Sequence, residues 1–315
     1  MNQETKKLAV GFIGLGVMGT PMVGHIHKSG HAVAVHDLDM DAARRLAAQL
    51  GENAAAVDTP RELAQKSDIV ITMLPNGEVV QRVVFGENGL AAGFKPGSLL
   101  LDTSSSEPWL TTETAARLSE QGVAMVDAPV SGAQWGAEAA ELVFMVGGRT
   151  EDLQRVSPVL QCMGSSIFHL GPQGAGHAMK CINNLVTAIT LSATAEGLVI
   201  GKAFSLDPEA MVKVMNVSTA GSWVSRTHIE KRVLSRAFDD PFKLALMLKD
   251  MNIANTLARN GQIPAPISAL GQQLWQAASR DAGAGASISE LVRWVEKQSG
   301  TEITRGNSAP AQKKD

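Results

Sequence analysis

Short apolar runs alternate with amphipathic stretches through roughly the first half of this 315-residue chain. The runs have the length and composition of buried strands and cover residues 8–13, 32–36, 69–73, 98–102, 124–127 and 142–146. Several of the stretches between them have helical periodicity, over residues 21–29, 41–50 and 111–121. Strands that alternate with helices of this length predict an α/β fold with a parallel, doubly wound sheet covered on both faces.

No strand pattern follows residue 170, and the periodicity becomes helical. Apolar residues recur at helical spacing over residues 178–202, 208–217, 242–259, 268–278 and 287–297. We therefore expect two domains, an α/β domain at 1–170 and an all-helical domain at 171–299. Residues 300–315 lack apolar periodicity, and we expect them to form a disordered tail.

Charge and cysteine content exclude several classes of protein. The net charge is −3 and the sequence contains no basic run, so nucleic acid is not an expected partner. The two cysteines, Cys162 and Cys181, have neither the spacing of metal ligands nor a disulfide pattern. These features favour a cytoplasmic protein without a structural or catalytic metal.

Neither of the most apolar segments predicts a membrane span. The apolar run at 8–15 is too short and is not followed by a small-residue cleavage site. The long helix predicted at 178–202 is interrupted by Thr190, Thr194 and Glu196. An apolar helix of this length is consistent with an element buried between domains or subunits, so we expect a homodimer or homotetramer without a membrane partner.

A glycine-rich loop lies between the first predicted strand and the helix after it. The loop consists of Gly14, Leu15, Gly16, Val17, Met18 and Gly19. In this strand–turn–helix context, Gly14 permits a tight turn, Gly16 lets a pyrophosphate approach the backbone, and Gly19 allows close packing of helix on strand. The amide groups at the start of the helix would then face the phosphates. The loop predicts a dinucleotide site.

An acidic residue ends the second predicted strand. Asp37 can accept hydrogen bonds from both ribose hydroxyls and would repel a 2′-phosphate. Leu38 follows at a place where chains that bind NADP commonly carry an arginine. We therefore expect NAD rather than NADP.

Two further strand ends carry residues suited to the same ligand. Leu74 and Pro75 follow the strand at 69–73, and Ser104 and Ser105 follow the strand at 98–102. Ligands of open parallel sheets bind at the carboxyl ends of the strands, so we expect these four residues to contact the cofactor. The serines are equally consistent with a cap for the helix predicted near Glu107.

The stretch at 171–184 combines three glycines with a lysine in an apolar helix. Lys180 and Asn184 are four residues apart, so they project from one face of the helix. A lysine there either extends its ammonium to solvent or is held for a functional reason. His177, one turn before Lys180, is more typical of a helix start than of a functional group.

Four segments in this order resemble the β-hydroxyacid dehydrogenase family, which includes 3-hydroxyisobutyrate dehydrogenase and tartronate semialdehyde reductase. They are the glycine loop extended through Met22, the turn from Asp127 to Gly132, the stretch from Gly171 to Asn184, and the pair Lys249-Asp250. The resemblance covers residues 8 to about 299. It implies a Rossmann domain followed by a helical domain, as in 6-phosphogluconate dehydrogenase, with an active site in the cleft between them.

The resemblance also implies roles for individual residues. Lys180 would be the catalytic general acid/base and Asn184 would hold the substrate hydroxyl. Ser131 and Gly132 would bind the substrate carboxylate, and Lys249 would lie near cofactor and substrate. The chemistry is coherent, because an ammonium beside a developing alkoxide lowers its energy while hydride passes to the nicotinamide.

Departures from the family concern the substrate more than the reaction. Ala133 occupies the position of a second glycine, so we include it in the substrate pocket, and Trp135 places a bulky ring close by. Trp223 falls where relatives contribute to the pocket from the helical domain. The sequence therefore predicts an oxidoreductase of a small 3-hydroxy acid, or of its semialdehyde, without naming the compound.

Two alternatives on the same fold remain open. Imine reductases usually lack the lysine, so Lys180 counts against that activity, and loss of the lysine would also mark a non-catalytic NAD(P)-binding module. A third activity, that of 6-phosphogluconate dehydrogenase, is not expected, because that enzyme would carry a histidine within its lysine motif and a much longer helical domain, and this chain has neither.

Overall fold

The computed structural model describes residues 7–283 and 285–306. The chain forms two compact units that divide between Lys180 and Cys181. The boundary predicted at residue 170 lies earlier, because the helix after it begins within the first unit and continues into the second.

The first unit contains a nine-stranded sheet. Its strands are β1 (Ala9–Ile13), β2 (Ala32–His36), β3 (Ala54–Ala56), β4 (Ile69–Thr72), β5 (Leu99–Asp102), β6 (Ala124–Asp127), β7 (Val130–Ser131), β8 (Val143–Gly147) and β9 (Ser166–Gly171). The order is β3-β2-β1-β4-β5-β6-β8-β7, and β9 pairs with β8. The first six strands are parallel, which confirms the predicted sheet, whereas β8 is antiparallel to β6 and β7.

Helices follow most of these strands. They are α1 (Gly19–Lys28), α2 (Met40–Leu50), α3 (Pro60–Gln65), α4 (Gly77–Phe85), α5 (Pro108–Ser119), α6 (Ala133–Ala139) and α7 (Thr150–Leu160), with a 3₁₀ turn at Leu90–Ala92. Leu99 and Leu101 of β5 pack in one apolar cluster, and Leu100 between them packs in a second. Since successive side chains of a strand point to opposite faces, both faces of the sheet are covered.

The second unit is helical, as predicted. It contains the greater part of α8 (Ala175–Ala203), then α9 (Pro208–Val217), a π-helical segment (Val224–Leu234), α10 (Leu244–Asn260), α11 (Pro266–Ala282) and α12 (Glu290–Ser299). Trp275 is fully buried in its core and donates from Nε1 to Ser192 Oγ at 3.0 Å. An isolated bridge between Lys243 and Ser287 is extended backbone within this unit.

Helix α8 is long and apolar enough to cross a membrane by length and composition alone. A core helix of a globular domain satisfies the same criteria. Leu191, Ala195 and Leu198 of α8 are buried in the apolar core of the second unit. This packing gives the apolar residues of α8 a role within the fold.

Residues 301–306, which follow α12, are held by specific contacts, although their composition predicts disorder. Ile303 is fully buried, and its N–H donates to Glu296 Oε1 at 2.7 Å. Lys202 Nζ donates to the carbonyls of Thr304 and Gly306. The predicted disordered tail at 300–315 is therefore wrong for residues 301–306, because one apolar side chain and one buried lysine hold them; residues 307–315 lie outside the described residues.

We expect Ile303→Ala to lower the free energy of unfolding by about 2–5 kcal/mol, since it removes buried methyl groups and leaves a cavity. Ile263→Ala is the matched control, because Ile263 is 63% exposed. Urea unfolding of the full chain measures both. Equal effects of the two substitutions would contradict the packing of the 301–306 segment.

Candidate active site

The glycine loop lies between β1 and α1 as predicted. Gly14 has φ +100°, and a Cβ there would stand 2.3 Å from the Met73 carbonyl oxygen. A Cβ on Gly19 would stand 1.9 Å from the Gly14 carbonyl oxygen. A Cβ on Gly16 would meet nothing within 4 Å, so the backbone there is open to a ligand. The loop thus fits a pyrophosphate at the N-terminus of α1.

Asp37 follows β2 and is bonded to this loop. Its Oδ2 accepts from Leu15 N–H at 2.7 Å and its Oδ1 accepts from Asp39 N–H at 2.9 Å. Leu38 is 98% exposed. The carboxylate therefore fixes the loop conformation, and each oxygen keeps acceptor capacity for a ribose hydroxyl.

The segments after β4 and β5 are joined by a hydrogen bond. Leu74 N–H donates to Ser104 Oγ at 2.9 Å, and Ser104 N–H donates to Asp102 Oδ1 at 3.1 Å. Ser104 is buried, whereas Ser105 is half-buried and Pro75 is exposed. The structure thus brings together the segments that hold the predicted cofactor residues at the carboxyl edge of the sheet.

A buried polar network lies beside these strand ends. Asp102 and Asp127 end β5 and β6 and are register partners. Asp127 accepts from Gly174 N–H at 2.8 Å and from His177 N–H at 3.0 Å, at the start of α8. The His177 ring is fully buried beside Thr111, so the histidine belongs to this network as well as to a helix start.

Lys180 stands one turn after the network and is 8% exposed. A lysine on an arbitrary surface helix keeps much of its side chain in water, so this degree of burial favours a lysine that is held for a functional reason. Asn184, one turn further along α8, is 6% exposed. Both predicted catalytic side chains are therefore buried on one helix.

Asn184 is oriented from two sides within the second unit. Its Nδ2 donates to Asp250 Oδ2 at 2.6 Å, and its Oδ1 accepts from Asn183 Nδ2 at 3.2 Å. Lys249 Nζ lies 3.3 Å from Asp250 Oδ1. Asp250 thus connects two predicted site residues of this unit, and these two bonds leave the second amide hydrogen of Asn184 for a further acceptor.

The predicted carboxylate turn joins β7 to α6. Ser131 ends β7, and Gly132 precedes α6 with φ +130°. Ala133 has φ +53°, in the left-handed region that favours glycine. Trp135 is 44% exposed. An alanine at this turn is therefore strained, and its methyl group occupies space that a glycine would leave open.

Trp223 lies in the second unit, immediately before the π-helical segment. It is half-exposed, and its ring centroid is 5.9 Å from that of His228. His228 Nδ1 lies 3.0 Å from Asp240 Oδ2, and both side chains are buried. The exposed Trp223 ring is thus supported by a buried polar pair.

Sequence reasoning assigned no role to Asp102, Asp250 or Thr111. A carboxylate at the end of a buried strand could have indicated Asp102, and Asp250 was already part of the Lys249-Asp250 pair. The contacts of Asp250 with Asn184 and of Thr111 with His177 follow only once distant segments are brought together. Among the described residues, no group of three or more His, Cys, Asp or Glu side chains could hold a metal ion.

Two family models match the chain. Residues 9–171 match the NAD-binding domain of 6-phosphogluconate dehydrogenase, and residues 174–295 match the NAD-binding domain of NADP-dependent 3-hydroxyisobutyrate dehydrogenase. The two matches cover most of both units.

Relatives of similar length support the same assignment. The chain is 35% identical over 302 residues to the 2-(hydroxymethyl)glutarate dehydrogenase of Eubacterium barkeri, covering 96% of this chain and 99% of that protein. It is 34% identical over 289 residues to the 3-sulfolactaldehyde reductase of Escherichia coli, covering 90% and 96%. A solved structure of Mycobacterium tuberculosis 3-hydroxyisobutyrate dehydrogenase with L-serine has a TM-score of 0.85 and 32% identity, covering 92% and 99%.

Proposed function

The chain belongs to the β-hydroxyacid dehydrogenase family, and we propose that it oxidises a small 3-hydroxy acid with NAD, using Lys180 as the general acid/base. The observation that carries the proposal is the burial of Lys180 and Asn184 on one helix of a chain that matches this family along its length. The reverse direction, reduction of a semialdehyde, uses the same groups.

Lys180 handles the proton in this reaction. In the oxidation the neutral amine takes the hydroxyl proton at Nζ, and in the reduction the ammonium returns it to the carbonyl oxygen. Asn184 holds the same oxygen with its free amide hydrogen, because Asp250 and Asn183 fix the other groups of that amide. When bound, the nicotinamide supplies the hydride chemistry.

The loop from Gly14 to Gly19 would hold the pyrophosphate and Asp37 the adenosine ribose. We propose NAD over NADP because acidic residues surround the expected position of the ribose. Arg44 is paired with Asp41 and Asp58, and Arg45 lies 3.8 Å from Asp39. Each of these arginines is therefore already paired with a carboxylate and is less available to a 2′-phosphate. Two like charges 4 Å apart repel by about 4 kcal/mol at an effective dielectric constant near 20.

The compounds named with two of these relatives indicate a substrate class. L-Serine and 3-hydroxyisobutyrate, named with the Mycobacterium tuberculosis structure, and 2-(hydroxymethyl)glutarate all carry a hydroxymethyl group on the carbon that bears the carboxylate. We propose a substrate of this kind, with its carboxylate at the Ser131–Gly132 turn. The strained Ala133 and the exposed ring of Trp135 are the features that would select among such acids.

The proposal is tested with a panel of these acids, glycerate and threonate, assayed with NAD and NADP in parallel, and with sulfolactaldehyde, assayed with NADH and NADPH. We expect kcat/KM for NAD to exceed that for NADP by about 10²-fold, because solvent screens part of the repulsion at Asp37. Asp37→Ser should lower that ratio at least about tenfold, since it removes the carboxylate. Asp281→Asn, at an exposed carboxylate of α11, is the control and should change the ratio far less.

Preference for NADP in the unmodified protein would overturn the role of Asp37. Absence of turnover with every acid and with the corresponding aldehydes would overturn the proposed activity.

A further inference from the structure

We propose that His177 is a positioning residue, which fixes the first turn of α8 to the loop after β5 and thereby sets the place of Lys180. The inference rests on the proposed function of Lys180 as general acid/base. It concerns a side chain that the proposed chemistry does not itself use.

The His177 ring is fully buried and hydrogen-bonded at both nitrogens. Nε2 lies 3.1 Å from the Ser104 carbonyl oxygen, and Nδ1 lies 2.7 Å from Thr111 Oγ1. A carbonyl oxygen only accepts hydrogen bonds, so Nε2 carries a hydrogen and donates a hydrogen bond to the Ser104 carbonyl. The ring therefore bridges α5 and the loop after β5 from the start of α8.

The backbone at the same position is held separately. Asp127 Oδ2 accepts from His177 N–H and Oδ1 accepts from Gly174 N–H, so this carboxylate satisfies two amide groups that the helix leaves unpaired. A Cβ on Gly176 would stand 2.2 Å from the Met145 carbonyl oxygen. The bonds to Asp127 and the close approach of Gly176 to Met145 thus hold the first turn of α8 against β6 and β8, and the His177 ring joins the same turn to the loop after β5.

The far end of the bridge is the segment expected to contact the cofactor. Ser104 accepts from Leu74 N–H through Oγ, donates from its N–H to Asp102, and accepts from His177 through its carbonyl. All three groups of Ser104 are therefore engaged. His177 is the side chain that connects this segment to α8 and so relates the cofactor segment to the catalytic lysine.

Residues 177 and 180 are neighbours on a helix, being three apart. A shift of the first turn after loss of the ring would carry Lys180 with it. A displacement of about 1 Å at a reacting group costs about 10²-fold in rate. A purely structural histidine would instead change only the amount of folded protein.

The substitutions His177→Leu and His177→Gln distinguish a role in positioning Lys180 from a purely structural role. Leucine fills space without hydrogen bonds, whereas the glutamine amide reaches about as far as Nε2 and restores the donor to Ser104. We expect His177→Leu to lower kcat at least about 30-fold with KM for the acid changed far less. We expect His177→Gln to recover kcat to within about fivefold of the unmodified protein.

Two measurements do not depend on turnover. Hydrogen exchange of the amides at 174–180 in the cofactor-free protein should accelerate in His177→Leu and return toward normal in His177→Gln. NADH affinity, measured by fluorescence, should stay within about threefold in both, because the glycine loop and Asp37 are untouched and Ser104 keeps its bonds to Leu74 and Asp102. Thr111→Val, which removes the second partner of the ring, should show a smaller effect of the same kind.

The proposal is overturned if His177→Leu, corrected for its folded fraction, keeps kcat and exchange rates near those of the unmodified protein. It is equally overturned if His177→Gln is as impaired as His177→Leu, or if Thr111→Val leaves kcat unchanged when His177→Leu does not fold. The proposed function would fail in a different experiment, namely if a variant that lacks the Lys180 amine kept full activity.

Discussion

Replacing Lys180 with methionine should lower kcat for oxidation of the preferred acid by about 10³-fold, because general acid–base catalysis contributes typically 10²–10⁴. Methionine keeps the length of the side chain and suits a site that is 8% exposed, so the fold should be retained. Stopped-flow or steady-state measurement of NADH formation gives kcat, and fluorescence titration gives NADH affinity. The affinity should remain within about threefold, since the glycine loop is distant in sequence and unchanged.

Lys213→Met is the control for this experiment. Lys213 is a largely exposed lysine on α9, paired with Glu209 one turn earlier. Its loss removes a weak surface ion pair and should leave kcat unchanged. If Lys180→Met retained kcat within about tenfold of the unmodified chain, Lys180 would not be the proton-transfer group.

Two alanine substitutions in α1, at Gly19 and Gly24, should have opposite effects on the free energy of unfolding. A Cβ at Gly19 would stand 1.9 Å from a backbone oxygen of Gly14, so either the loop or the helix must move. We expect Gly19→Ala to lower the free energy of unfolding by about 3 kcal/mol, at the upper end of overpacking effects. It should also weaken NADH binding by about 3 kcal/mol, which is roughly 10²-fold in Kd.

Gly24 lies in the same helix and is the matched control. A Cβ there would meet nothing within 4 Å, so Gly24→Ala gains helix propensity without a clash. The gain should be about 0.5–1 kcal/mol of unfolding free energy, with NADH affinity unchanged. Chemical denaturation and NADH titration of both variants test the prediction. Similar NADH affinities in the two would show that Gly19 is not needed for loop geometry.

The fold was largely predictable because most strands of the sheet form apolar runs that are long enough to recognise in the sequence. Each strand from β1 to β6 except β3 was predicted from its apolar run, and α9 was predicted with its observed bounds, whereas β9, which pairs parallel with β8, was not predicted. Strand β3 consists of three alanines and β7 of two residues, which are too short and too weakly β-forming to signal a strand. The antiparallel direction of β8 depends on tertiary pairing, which periodicity does not encode.

The candidate site, like the fold, was predicted where the signal is local and missed where it depends on tertiary contacts. Local patterns predicted a cofactor site at the glycine loop and Asp37 and placed Lys180 and Asn184 on one helix face, while the resemblance to the family implied the roles of those two side chains. The network around His177 joins residues 50 to 73 positions apart, and the Asn184–Asp250 bond joins residues 66 apart. Such contacts follow from sheet register and helix packing, so a single sequence reveals the end residues of strands but not their partners.

Transfer of deuterium from substrate to cofactor tests the central claim most directly. The preferred acid, deuterated at its hydroxymethyl carbon, is incubated with NAD and the full chain, and the reduced nicotinamide is analysed by mass spectrometry. We predict NADH that carries one deuterium, with formation slowed about 10³-fold in Lys180→Met. Reduced cofactor without deuterium, or an equal rate in Lys180→Met, would contradict the assignment of this chain as a hydroxy acid dehydrogenase that works through Lys180.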